Sequence, residues 1–108
     1  MHSKIYILIK DWVDVGHAVN TAGHASLLLY LRNKDNPDLK EWLENSFRKV
    51  TCIVTEEQFE QAKQFEGWTP VTEMAFKDEN GKNKEVALVF LPRKEWPKFF
   101  KFLKLYGK

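Results

Sequence analysis

The sequence predicts a single-domain α/β fold, a mixed four-stranded sheet with helices on both faces, in the order β-α-α-β-α-β-β-α. Three observations predict it. Apolar or β-branched runs, "KIYILIK", "KVTCIVT" and "EVALVFL", are short and bounded by charges or turn residues, as buried strands are. Segments with apolar residues at helical spacing lie between them, so the first two strands are joined by a helical crossover and pair in parallel, with a right-handed connection expected. Asn80-Gly81 stands between the last two strand patterns and marks an antiparallel hairpin. The 108 residues fit one domain, and a chain 44% hydrophobic and 14% aromatic can bury a real core.

Each element follows in turn. Lys4 to Lys10 is the first strand, and "DWVDVG" is its connection onward. The first helix runs from about Gly16 to Arg32 and stops at "NKDNP", where Asn33, Asn36 and Pro37 break it. "PDLKEWLENSF" is a shorter helix, started by Pro37, with Leu39, Trp42, Leu43 and Phe47 at helical spacing. Lys49 to Thr55 is the second strand. "TEEQFEQAKQFEG" opens a third helix on Thr55 as N-cap, with an acidic first turn and a capping box, and Gly67 sits where a C-cap glycine belongs. "WTPVTEMAF" and "EVALVFL" are the hairpin strands. "RKEWPKFFKFLKLYGK" is read as a closing helix started by Pro97, with Trp96, Phe99, Phe100, Leu103 and Tyr106 on one face and Lys94, Lys98, Lys101, Lys104 and Lys108 opposite.

Composition narrows the function classes. A single cysteine, Cys52, excludes an internal disulfide and fits a reducing cytoplasm. No apolar run approaches the roughly 20 residues of a membrane helix, and "KIYILIK" is too short for a signal peptide, so no membrane partner is expected. A net charge of +2 neither demands nor excludes nucleic acid. The lysine face of the last helix can meet RNA phosphates, or can simply be solvated.

The stretch "GHAVNTAGHAS", Gly16 to Ser26, carries the chemistry. His17 and His24 are seven apart, two turns or about 10 Å along one helix face. Thr21 lies between them and Asn20 is close by. One reading is a polar strip lining a cleft at the C-terminal end of the first strand, where open α/β sheets place ligands. The other is a helix start with one exposed histidine and one partly buried, hydrogen-bonded histidine. Seven is the wrong spacing for helical metal ligands, which sit at i and i+4, and Cys52 reads as core, so neither metal nor cofactor is expected. Ala18, Ala22, Ala25 and Ser26 let the helix lie close to the sheet or to a second subunit.

These pieces, taken in order, resemble the type 2 peptidyl-tRNA hydrolase family over nearly the whole chain. The family opens with an apolar strand and a Gly-Lys loop leading into a helix with a Ser-His-Ala motif; "GHAVNTAGHAS" has that form. "KVTCIVTEEQF" looks like its lysine-opened strand and acidic helix start, "VALVFLP" like its last strand ending at a proline, and Leu103 to Tyr106 like its C-terminal Leu-Lys-Leu pattern. There are departures. His17 stands where the family has a catalytic lysine. The aspartate of its Asp-Ala-Gly signature falls near Met74 or Ala75, with Glu73 adjacent and Asp78 just beyond. The threonine that opens its last strand falls on Val86.

The resemblance implies hydrolysis of the ester between a peptide and tRNA, a tRNA partner and a homodimer. Within it, His17 serves as base or electrostatic stabiliser, and Glu73 or Asp78 orients or activates water. Gly16 allows close backbone approach; Asn20, Thr21 and the helix-start amides hold the oxyanion. His17, near the positive helix end, is expected to be neutral, and His24, among alanines, more buried and better fixed. The alternative is a binding protein on the same scaffold, for RNA, a small ligand or a protein, that has lost the catalytic residues.

Overall fold

The computed structural model describes residues 3–108. Its sheet is built on β1 (Lys4–Lys10), in which Ile5 to Ile9 are all buried. β1 pairs in parallel with β2 (Arg48–Val54), Lys4 opposite Arg48 and Lys10 opposite Val54. On its other side it pairs antiparallel with β4 (Asn83–Phe90), which forms the expected hairpin with β3 (Trp68–Lys77). A strand with partners on both edges and helices over both faces has no polar side, hence the unbroken apolar run.

Side-chain alternation along β1 divides the core in two. Ile5, Ile7 and Ile9 face α1 (Val15–Arg32) and α2 (Pro37–Asn45), meeting Ala18, Ala25, Leu29, Leu39 and Trp42. Tyr6 and Leu8 face the opposite layer, with Phe59 and Ala62 of α3 (Glu56–Ala62) and Phe100 of α4 (Lys98–Lys101). Helices on both faces are thus observed. The α3 capping box also forms: Thr55 Oγ1 accepts from Gln58 N, and Gln58 Oε1 accepts from Thr55 N.

The end of the chain departs from expectation. The sheet has five strands, in the order β3-β4-β1-β2-β5, because Lys104–Leu105 pairs antiparallel with Ile53 and Cys52 as β5. The anticipated closing helix is one turn, α4. Beyond it Leu103 enters the α3–α4 core layer while Tyr106 packs on the α1–α2 layer, an alternation of period two. The free edge of β2 offers backbone hydrogen bonds, and Tyr106 N–H donates to Thr51 O at 2.9 Å. A helix this short has little cooperative stability to compete with such pairing.

Smaller corrections have local causes. α3 stops at Ala62, so Gly67 does not cap it. Gly67 instead takes φ 91° at the start of β3, where its carbonyl accepts from Leu91 N. α2 stops at Asn45, and Phe47, expected on its apolar face, sits beyond the helix in the left-handed region at φ 58°. Its N–H caps Trp42 O at 2.7 Å, a position that usually belongs to glycine.

Candidate functional site

α1 begins at an N-cap that sequence reading passed over as connection. Asp14 Oδ2 accepts from His17 N at 3.3 Å, and Asp14 Oδ1 lies 2.6 Å from His17 Nδ1. A carboxylate only accepts, so the shared proton is on Nδ1, which in the neutral imidazole leaves the lone pair on Nε2. His17 donating to it holds the Asp14 carboxyl below the usual carboxylate range. Asp three residues before a histidine at a helix start was a legible capping signal.

The buried row of α1 is Ala18, Thr21, Ala25 and Leu29, which lies on the sheet. His17 and His24 flank that row on the side of β3. There the β3–β4 register shifts twice: between Val71 and Thr72, and between Glu73 and Lys77. The second irregularity leaves Met74, Ala75 and Phe76 outside the ladder and re-aims their side chains, as bulges next to sites do. Phe76 turns its ring edge-on to His17, centroids 4.9 Å apart, and also to Trp12, at 5.2 Å. The Lys84 ammonium lies 5.2 Å from the Trp12 ring centroid.

Between α1 and this distorted hairpin lies an open cleft of about 530 Å³. His17, His24, Thr72, Glu73 and Asn83 supply its polar groups, and Leu27, Leu28 and Met74 apolar wall. Glu73, with a side chain 12% exposed, is held at the cleft wall. It accepts from Thr21 Oγ1 at 2.8 Å, and His24 Nε2 stands 3.7 Å from the same oxygen. Three of the anticipated residues therefore converge, with Thr21 beneath them. The cleft lies beside the edge strand β3, not at the C-terminal end of β1, none of whose residues line it.

Other expectations are corrected. His24 is the more exposed histidine, its side chain 56% exposed against 42% for His17, because position 24 lies farther round the helix from the row of small residues. Asp78 is occupied in the hairpin turn, its carboxylate accepting from Asn80 N at 2.8 Å and Lys82 N at 2.9 Å, and it does not line the cleft. Asn20 is exposed and also lies off the lining. Gly16 is exposed, and a Cβ there would meet only Asp14 Oδ2, at 3.5 Å, so no close backbone approach explains it. Asn83 and Phe76 were missed because their positions depend on the β3 irregularity, which no local pattern announces.

Among the described residues no three His, Cys, Asp or Glu side chains gather as a metal site, and no helix is long and apolar enough to cross a membrane. What the cleft offers is a histidine oriented by a carboxylate, a second histidine beside a glutamate, and an amide. No protein-family model matches the chain, and no curated protein matches it, so the chemistry of these side chains is what bears on function.

Proposed function

We propose that this cleft hydrolyses an ester, with peptidyl-tRNA as substrate, on a scaffold akin to that of the type 2 peptidyl-tRNA hydrolases. The observation that carries the reading is the convergence of His17, His24 and Glu73 on one open cleft with Asp14 fixing His17. In this reaction Nε2 of His17 takes a proton from water, and the water oxygen adds to the ester carbonyl carbon. The carbonyl oxygen gains negative charge, which the side-chain amide of Asn83 stabilises. The bond from carbon to the ribose oxygen then breaks, and His17 returns the proton to that oxygen. Glu73, neighboured by the Thr21 hydroxyl and His24, positions the water or the substrate amine. Phe76 beside His17, with Trp12 against Phe76 and Lys84 over Trp12, suits an unstacked base and its phosphate.

The test is release of labelled peptide from peptidyl-tRNA by the purified protein. Release is expected, and His17→Ala should slow it by roughly 100-fold or more, the scale of a general base. A second reading, binding without hydrolysis, is favoured by the lining itself: no lysine stands in the cleft, although the family pattern has a catalytic one at position 17. Retention of peptidyl-tRNA by the protein without release would select it.

A further inference from the structure

Six of the seventeen lysines and arginines fall in two segments that hold no aspartate or glutamate, 46–55 and 96–108. The rest of the chain then carries eleven basic and fifteen acidic residues, so the net charge of +2 divides into a positive and a negative part. The fold joins the two segments. The first contains β2, and the second contains α4 and β5, which pairs with β2 at the edge of the sheet. Among the described residues none of Lys98, Lys101, Lys104 and Lys108 is ion-paired.

Apolar groups stand among these charges. Phe102 is 82% exposed, more than any other large apolar side chain described. It is the C-cap of α4, where Lys98, Lys101 and Phe102 share one outer face at spacings of three and four. The inner face belongs to Phe100, which meets Tyr6 and Phe90 at 5.3 Å and 5.0 Å between centroids. Leu105, also exposed, pairs with Cys52, whose side chain lies in the α3–α4 layer. Opposed residues of a ladder point to the same face, so Leu105 projects on the side where α4 lies. Lysines blunt a sheet edge against wrong pairing. An exposed phenylalanine and leucine beside them do the opposite, and the fold gives them nothing to cover.

We propose that this surface docks on an anionic lipid bilayer. Phe102 and Leu105 enter the boundary between headgroups and acyl chains, and Lys98 and Lys101 meet the negative headgroups. Stable attachment to a bilayer surface combines charge attraction with apolar burial, and this surface carries both. Leu105 favours lipid over nucleic acid, because an aliphatic side chain offers no ring on which a base can stack. The charge division sets the orientation: the acidic remainder of the chain is repelled by the same bilayer and turned to water. Lys104 contributes less, because Asp11 shares a groove with it. The cleft beside β3 lies at the opposite edge of the sheet, so docking leaves it open and does not depend on its chemistry.

The test is co-sedimentation with vesicles of phosphatidylserine and phosphatidylcholine at low salt. The protein should sediment with them, should stay in solution with vesicles of phosphatidylcholine alone, and should be released by high salt. Phe102→Ser should weaken binding roughly tenfold or more, the scale of burying one large apolar side chain. Lys98→Glu combined with Lys101→Glu should abolish it. Both variants should keep the circular dichroism spectrum of the wild type, because these side chains are exposed. An environment-sensitive fluorophore on Phe102→Cys should shift to the blue when the anionic vesicles are added. The same fluorophore on Glu79→Cys, in the hairpin turn, should not, and the buried Cys52 does not compete for the label. A protein that stays in solution with the anionic vesicles would overturn the proposal. So would undiminished binding by Phe102→Ser, which would leave charge alone as the cause. Retention of single-stranded RNA in place of vesicles would overturn it too and assign the lysines to nucleic acid.

Discussion

Thr21 and Glu73, 52 residues apart in sequence, are joined by a 2.8 Å hydrogen bond that ties α1 to the edge strand β3. Thr21 is fully buried, so its hydroxyl has no water to turn to. Thr21→Val keeps nearly the same shape but leaves Glu73 without this donor. The substitution should cost about 1–3 kcal/mol, the scale of an unsatisfied buried polar group. Urea unfolding should show a lower midpoint at unchanged slope. Glu73→Gln, whose amide can still pair with the hydroxyl, should cost less.

Asp14→Asn separates capping from orientation. Asparagine caps a helix as well as aspartate does, so the fold should hold. The amide no longer enforces a proton on Nδ1 of His17, so the proposed hydrolysis should fall through kcat with KM little changed, as for a group acting in the transition state.

Acid should act through the same aspartate. Its folded carboxyl lies below the ordinary value, chiefly because His17 donates to it. Glu56 is lowered too, first by the Trp12 indole N–H at 2.7 Å and then by Lys10. A depressed carboxyl stabilises the fold fully above its unfolded value, about 4. That contribution is lost as pH falls through the folded value. Stability measured from pH 6 to pH 2 should therefore decline less steeply in Asp14→Asn and in Glu56→Gln than in the wild type.

Cys52 should be inert in the folded protein. It is fully buried in β2, and burial pushes its thiol up to about 11. At pH 8 a thiol reagent should label it only as fast as the chain opens, and at once in urea. The raised value also sets an alkaline limit. Above the ordinary thiol value, about 8.5, the unfolded chain ionises first, so this group's contribution declines from there to about 11. Cys52→Ala should flatten that part of the stability curve.

Tyr106→Pro removes the N–H that Thr51 O accepts and disturbs β5 beside it. We expect a loss of about 1–3 kcal/mol from the stranded carbonyl and faster Cys52 labelling. An uncovered β2 edge should also raise light scattering on heating. A variant as stable and as slow to label as the wild type would show that β5 contributes nothing to the sheet.

Local signals were the legible ones. β1 is bracketed by lysines, the Thr55–Gln58 box caps α3, and Gly81 takes φ 79° in the anticipated hairpin turn. Each depends on residues a few positions apart. "KFLKLY" fits a period of 3.6 as well as one of 2, and only the vacant edge of β2, half a chain away, decides between them. The site divides in the same way. His17 and His24 follow from helical spacing, but Glu73 reaches them through a strand irregularity that has no sequence mark. Asp78, acidic and near the expected signature, is consumed by its own turn.

The central place of β1 also governs the order of assembly. Ile7 pairs with Thr51 on one side and Val89 on the other, partners 44 and 82 residues later. The β3–β4 hairpin closes locally and should form early, while the long loops around β1 are entropically slow to close. Ile7→Val should then mainly speed unfolding, and Val71→Ala should mainly slow folding; the reverse pattern would place β1 in the nucleus. During synthesis the most apolar strand is made first and must wait for β4. A chain stalled before residue 83 therefore carries Ile5 to Ile9 without half of their sheet, and its burden is aggregation rather than loss of activity.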